Sequence, residues 1–169
     1  MENKQPLADI LRPDTLANYF GQEHILGSGK ILEQMLTHQA LSSLILWGPP
    51  GVGKTTLAQI IAKNIKAKFI ASSAVLIGVA DIKKLAQVAE ADANFFQTKT
   101  ILFLDEIHRF NKGQQDVLLP YVEKGTLILI GATTENPSFS LNSALLSRCR
   151  VLTLKALSDL DLAKILKRA

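Results

Sequence analysis

Short apolar runs alternate along this chain with stretches whose apolar residues recur at helical spacing. Leu44–Trp47 is an apolar run that stops at Gly48. In 55–65, apolar residues stand at 57, 58, 60, 61 and 65, which places them on one helix face. Residues 68–71 read as a second strand. Asp81 is expected to cap a helix whose apolar positions 82, 85, 86, 89, 93 and 96 share a side. Residues 100–104 form a third strand, almost wholly apolar, as expected where both sheet faces are covered. A helix follows over 114–123, which Pro120 should kink or end early. A fourth strand at 127–133, a short helix at 142–147 and a fifth strand at 151–154 complete the alternation. The pattern predicts an α/β fold with a parallel sheet. The last segment, 158–168, opens on an N-cap-like Ser-Asp pair, with Leu160, Leu162, Ile165 and Leu166 at helical spacing. An amphipathic helix needs a surface to pack on, so this one is expected to begin a further domain.

Composition narrows the class. The chain has 169 residues, 47% hydrophobic and 20% charged, enough for one globular domain with its own core. No apolar run approaches a membrane span. The polar start, Met1-Glu2-Asn3-Lys4-Gln5-Pro6, has no following apolar stretch of the secretory kind. A lone Cys149 excludes an internal disulfide and a cysteine-based zinc site. These features point to a cytoplasmic protein. The net charge of +4 suits an anionic partner without demanding one, since the charges are spread out. The densest basic stretch, 164–168, reads as a solvated helix face.

The chemistry is carried by two segments. Gly48-Pro49-Pro50-Gly51-Val52-Gly53-Lys54-Thr55 matches the Walker A pattern, and Thr56 continues it into the predicted helix. Glycines let the backbone curl so that several N–H groups point at phosphate oxygens. The helix start adds unpaired N–H groups and a partial positive charge. Lys54 is expected to reach the β- and γ-phosphates of a nucleotide, and the Thr55 hydroxyl to ligate Mg2+. Leu102-Phe103-Leu104-Asp105-Glu106 is the Walker B counterpart. Its apolar strand delivers Asp105 to the sheet end where ligands bind in open α/β folds. Asp105 would hold Mg2+ through water, and Glu106 would polarise the attacking water. Two other readings fail. Asn111-Lys112 begins a guanine-recognition pattern whose required carboxylate is replaced by Gln114. Asp105-Glu106-Ile107-His108 resembles a helicase motif, but those enzymes need two such domains. His108 is assigned no role.

Arg12-Pro13, Gly21-Gln22-Glu23-His24, the Walker pair, the stretch from Gly131-Ala132-Thr133-Thr134-Glu135-Asn136 to Phe139 and Leu146-Ser147-Arg148-Cys149-Arg150 together resemble a clamp-loader-type AAA+ ATPase. The chain looks most like the replication-associated recombination protein A group, related to the Werner-helicase-interacting ATPases. The likeness runs from about Leu7 to the C-terminus.

That resemblance implies a three-layer core around a five-stranded, mainly parallel sheet in the order 5-1-4-3-2. Residues 1–20 would help form the adenine pocket, 21–155 the ATPase core, and 156–169 the start of a helical lid. It places a sensor threonine at the end of the fourth strand, with Thr134 preferred and Thr133 adjacent. A threonine satisfying the strand-end backbone is the alternative. Arg148 takes the arginine-finger position, acting on a neighbouring subunit, unless it is an ordinary surface arginine. Arg12, Pro13, Tyr19 and Phe20 lie where related proteins wrap adenine, although Tyr19 and Phe20 suit core packing equally. Lys83, Lys84, Arg109 and Lys112 would face DNA in a ring or simply face solvent.

The family implies Mg-dependent ATP hydrolysis at stalled or gapped replication forks, in a nucleoid-associated homo-oligomer that meets DNA and replication proteins. Without a complete lid, weak turnover is expected of the chain alone. Two alternatives remain: a non-hydrolysing ring subunit, and a Holliday-junction branch-migration motor, which shares the Gly-Ala-Thr-Thr element. Intact Lys54, Thr55, Asp105 and Glu106 argue against the first. Ser147-Arg148-Cys149 and Phe110-Asn111-Lys112 tilt away from the second.

Overall fold

The computed structural model describes residues 12–167. Residues 1–11 of the expected pocket segment, and Arg168 of the basic stretch, lie outside the described residues. The chain enters through a 3-10 turn, Leu16–Asn18, and two helices, α1 (Glu23–Leu26) and α2 (Ile31–Thr37). Then β1 (Leu44–Trp47) leads to α3 (Lys54–Asn64), and β2 (Lys68–Ser73) to α4 (Val79–Phe96). Next, β3 (Thr100–Asp105) passes through a 3-10 turn, Ile107–Arg109, into α5 (Lys112–Lys124). After β4 (Ile128–Thr133) come the one-turn helices α6 (Pro137–Ser140) and α7 (Ser143–Leu146), and after β5 (Arg150–Thr153) comes α8 (Asp159–Lys167).

The strands form one sheet in the order β2-β3-β4-β1-β5, the expected order read from the other edge. All four pairings are parallel. Strand side chains alternate between faces, so each central strand feeds two cores. Leu44, Leu46, Ile101, Phe103 and Ile130 pack with Leu57, Ile60 and Ile61 of α3 on one side. On the other, Ile45, Leu102, Leu104 and Leu129 pack with Ile82, Ala86 and Ala89 of α4 and Leu118 of α5. Helices therefore cover both faces, which is why β3 and β4 read as continuous apolar runs. Every residue of β4 is buried, and every residue of β3 except Asp105. Among the described residues no helix is long and apolar enough to cross a membrane.

Three local expectations are corrected. Asp81 does not cap α4. Gly78 holds that position, and Asp81 Oδ2 reaches back to accept the Gly78 N–H at 2.9 Å. The apolar face of α4 ends at Ala89, while Ala93 and Phe96 are exposed. Beyond Ala89 the helix meets the sheet edge through the ion pair of Lys68 with Asp92, 2.7 Å apart. Pro120 does not end α5, which continues to Lys124. Tyr121 and Val122, past the proline, still pack on the core, and that burial offsets the lost backbone bond. Asn111 and Gln114, first weighed as a guanine reader, instead cap α5 reciprocally: each side chain accepts the other's N–H, at 2.9 and 3.0 Å.

Candidate nucleotide-binding site

The glycine loop joins β1 to α3, and two of its glycines are required by their surroundings. Gly53 caps α3 at φ 92, a left-handed conformation that a side chain would strain. A Cβ there would also fall 2.9 Å from the Tyr19 hydroxyl. Gly48 is not left-handed, but a Cβ would sit 2.5 Å from the Leu154 carbonyl oxygen. The loop thus passes tightly between the N-terminal segment and the exit of β5. It delivers the first turn of α3, with its unpaired N–H groups, to a cavity of about 640 Å3. Lys54 Nζ donates to the carbonyls of Gly48 and Pro49 at 2.8 and 2.7 Å. Burial lowers its pKa, and the charge of Asp105 partly restores it.

The sheet order explains what meets the loop. Strands β3, β4 and β1 are neighbours and parallel, so their C-terminal ends open on the same side. The Gly48 N–H donates to the Thr133 carbonyl at 3.1 Å, tying the loop to β4. Asp105 and Glu106 arrive from β3, and Thr133 and Thr134 from β4, on the wall that also carries Lys54, Thr55 and Thr56. Asp105 Oδ1 accepts the Glu106 N–H at 3.0 Å. Glu106 itself is left-handed at φ 52, a costly conformation for a residue other than glycine.

The remaining wall comes from both ends of the chain. Arg12, Pro13, Asn18, Tyr19 and Phe20 line the cavity together with Leu157 and Ile165. Tyr19 does both jobs left open by the sequence. The residue is 9% exposed and packs in the core, while its single hydroxyl proton is shared between the carbonyls of Val52 and Gly53. Burial raises its pKa. Phe20 is half-buried, with Lys164 Nζ of α8 5.9 Å from its ring centroid. The Gln22 amide joins the two ends, donating to the Lys155 carbonyl at 2.7 Å and accepting the Lys155 N–H at 2.8 Å.

Of the residues picked out from the sequence, Arg12, Pro13, Tyr19, Phe20, Pro50, Gly51, Val52, Gly53, Lys54, Thr55, Thr56, Asp105, Glu106 and Thr134 line this one cavity. Gly48 and Pro49 stand behind it as the carbonyl partners of Lys54. Arg148 is not on its wall. It pairs with Glu123 of α5 and donates to the Ala144 carbonyl at 2.7 Å. Asn18, Leu157, Ile165 and the hydrogen bond of His108 to Thr133 were not anticipated. Only helical spacing at Ile165 gave any hint.

A parallel sheet, a glycine loop feeding a helix N-terminus and an acidic pair on the neighbouring wall define a P-loop nucleotide-binding domain. Residues 11–153 match the family described as the Holliday junction DNA helicase RuvB P-loop domain. Replication-associated recombination protein A of Escherichia coli K12 is 53% identical over 165 residues, 98% of this chain and 37% of that protein. The ATPase WRNIP1 of Dictyostelium discoideum is 52% identical over 163 residues, 96% of this chain and 18% of that protein. Among solved structures, the Thermotoga maritima RuvB Holliday junction branch migration motor has a TM-score of 0.77 at 34% identity, covering 94% of this chain and 53% of that one. The chain belongs to this family of AAA+ P-loop ATPases, in its replication-associated recombination protein A branch. It spans little more than a third of the length of its bacterial relatives of that name.

Proposed function

We propose that this chain is the ATP-binding and ATP-hydrolysing module of a DNA replication and recombination factor acting at stalled or gapped forks. The observation that carries the reading is the meeting of Lys54, Thr55, Asp105 and Glu106 on one cavity wall. In this reading the loop N–H groups and Lys54 bind the phosphates, and Glu106 takes up a proton from the water that attacks the γ-phosphorus. The β–γ bond breaks and ADP departs with phosphate. Thr134 contacts the γ-phosphate side, and Arg148 serves the site of a neighbouring copy. The adenine lies between Arg12, Pro13, Tyr19 and Phe20 and the lid side.

A hydroxyl and a single carboxylate, Thr55 and Asp105, suit Mg2+, which takes oxygen ligands and is commonly completed by substrate phosphates and water. Bound there, Mg2+ would offset the charge of the β- and γ-phosphates. Turnover by the chain itself is slow in this reading. The location is cytoplasmic and nucleoid-associated.

The test is Mg-ATP binding and turnover in wild type, Lys54→Ala and Glu106→Gln. Lys54→Ala should lose nucleotide binding. Glu106→Gln should still bind but turn over about a hundredfold or more slower. Unaffected turnover in Glu106→Gln would mean that Glu106 is not the base, and no turnover by wild type would end the hydrolysis reading. The match to the RuvB P-loop domain favours a second reading, a branch-migration motor. Stimulation by four-way junctions over gapped or forked duplexes would select the motor. The opposite order, fading as salt rises and phosphate contacts weaken, would select the fork factor.

A further inference from the structure

His108 stands in the 3-10 turn that follows Glu106, with its side chain 7% exposed. Its Nδ1 lies 3.0 Å from Thr133 Oγ1, and its Nε2 lies 3.8 Å from Glu135 Oε1. Thr133 is 1% exposed, and its Oγ1 also accepts the Glu135 N–H at 3.0 Å. A hydroxyl has one proton to give and two lone pairs. Here one lone pair takes the Glu135 N–H. The proton has two candidate acceptors, His108 Nδ1 at 3.0 Å and the Glu135 carbonyl at 3.3 Å. The shorter contact, with a carboxylate facing Nε2, fits a histidine that carries its proton on Nε2 and accepts from Thr133 at Nδ1. Thr133 is therefore engaged within the protein. Thr134, next along, is exposed and lines the cavity.

The two strand ends joined in this way are those that deliver the site. β3 ends in Asp105 with Glu106 next, β4 ends in Thr133, and the strands are paired neighbours, with Leu104 beside Gly131. We infer that His108 is a positioning residue for ATP hydrolysis, fixing Thr133 so that the turn beyond β4 presents Thr134 to the reacting phosphate in register with Glu106. The inference rests on the ATPase reading above. A misplacement of about an ångström costs rate before it costs affinity, because in the reading above the nucleotide is held by the loop and not by this turn.

The test compares wild type, Glu106→Gln, His108→Ala, His108→Asn and His108→Gln by ATP turnover, nucleotide affinity and thermal midpoint. An asparagine amide places a polar atom near the position of Nδ1, and a glutamine amide near that of Nε2. Turnover is expected to fall about tenfold in His108→Ala and His108→Gln, with KM within about twofold of wild type. In His108→Asn it should return to within about threefold of wild type, since the Thr133 contact is restored. Similar thermal midpoints for the Asn and Gln variants would show that the difference is not one of folding. Equal turnover in those two variants overturns the inference, as does a loss confined to affinity. If His108→Ala does not fold, the Asn and Gln pair decides. Should wild type not hydrolyse ATP, the ATPase reading has failed and this inference falls with it. Should Glu106→Gln match an active wild type, hydrolysis stands but the role given to Glu106 has failed, and this inference falls with that role. Should Glu106→Gln be dead while all His108 variants run at the wild-type rate, this inference alone has failed.

Discussion

Tyr19 and Cys149 are both held protonated by burial. The Tyr19 hydroxyl, bonded to the loop carbonyls, has its pKa raised above the ordinary 10.0, and the Cys149 thiol is pushed up from 9.0 to about 12. In the unfolded chain both groups would ionise near their ordinary values. From about pH 9 towards 12, then, the unfolded state releases protons that the folded state keeps. Stability must fall with rising pH in that window, and neither group affects it below. The urea midpoint should decline from pH 9 upwards, and Tyr19→Phe should flatten the upper part of that decline whatever it does to the midpoint at pH 7. An identical alkaline slope in the two proteins would mean that the phenol ionises freely in the native state. The same burial predicts slow reaction of Cys149 with thiol reagents at pH 8 until denaturant is added, because the thiolate is the reactive form.

At the scale of elements, the N-terminal segment is fastened to the far end of the chain by Gln22, 133 residues away from Lys155 in sequence. Gln22 is 4% exposed and left-handed at φ 65, so glycine is the substitution that keeps its backbone. His24 adds a second tie, its Nε2 lying 2.7 Å from the Thr153 carbonyl. Gln22→Gly should cost about 1 to 3 kcal/mol, the range for leaving partly buried polar groups unpaired. It should also weaken nucleotide binding, since Tyr19 and Phe20 ride on the same segment. Full affinity with lowered stability would show that the cavity wall does not depend on this fastening. The contact illustrates what the sequence could and could not disclose. The strands were legible because β1, β3 and β4 are apolar on both faces, and the glycine loop because its chemistry is local. The order of the strands came only with the family resemblance, since spacing says nothing of lateral pairing. The contacts of Gln22, of Leu157 and of His108 with Thr133 depend on residues brought together from distant positions, and although Gln22 and Thr133 fall in segments that carry the resemblance, no local pattern discloses their partners. The early end expected at Pro120 and the cap expected at Asp81 fail for a related reason: local preference is overridden by packing beyond Pro120 and by the reach of a carboxylate back to Gly78.

At the scale of the whole molecule, Arg148 poses the remaining question. It sits at the end of α7, held to α5 by Glu123 and absent from the wall of the cavity in its own chain. In the reading proposed above this guanidinium serves a nucleotide in another copy, so the finger assignment and the oligomer stand or fall together. Both ions of the Arg148–Glu123 pair are substantially exposed, with side chains 38% and 48% accessible, so breaking it should cost little. Arg148→Ala should therefore leave fold and nucleotide affinity nearly intact while lowering turnover by about a hundredfold or more, the scale of arginine-finger effects. Complementation separates this from an indirect effect. Arg148→Ala keeps a sound cavity but offers no finger, and Glu106→Gln keeps the finger but cannot activate water. Mixed in one assembly, some interfaces would pair the sound cavity of the first with the finger of the second, and turnover should reappear although neither protein turns over alone. A mixture as silent as its parts, in an assembly shown to contain both, would mean that Arg148 works within its own chain or not at all.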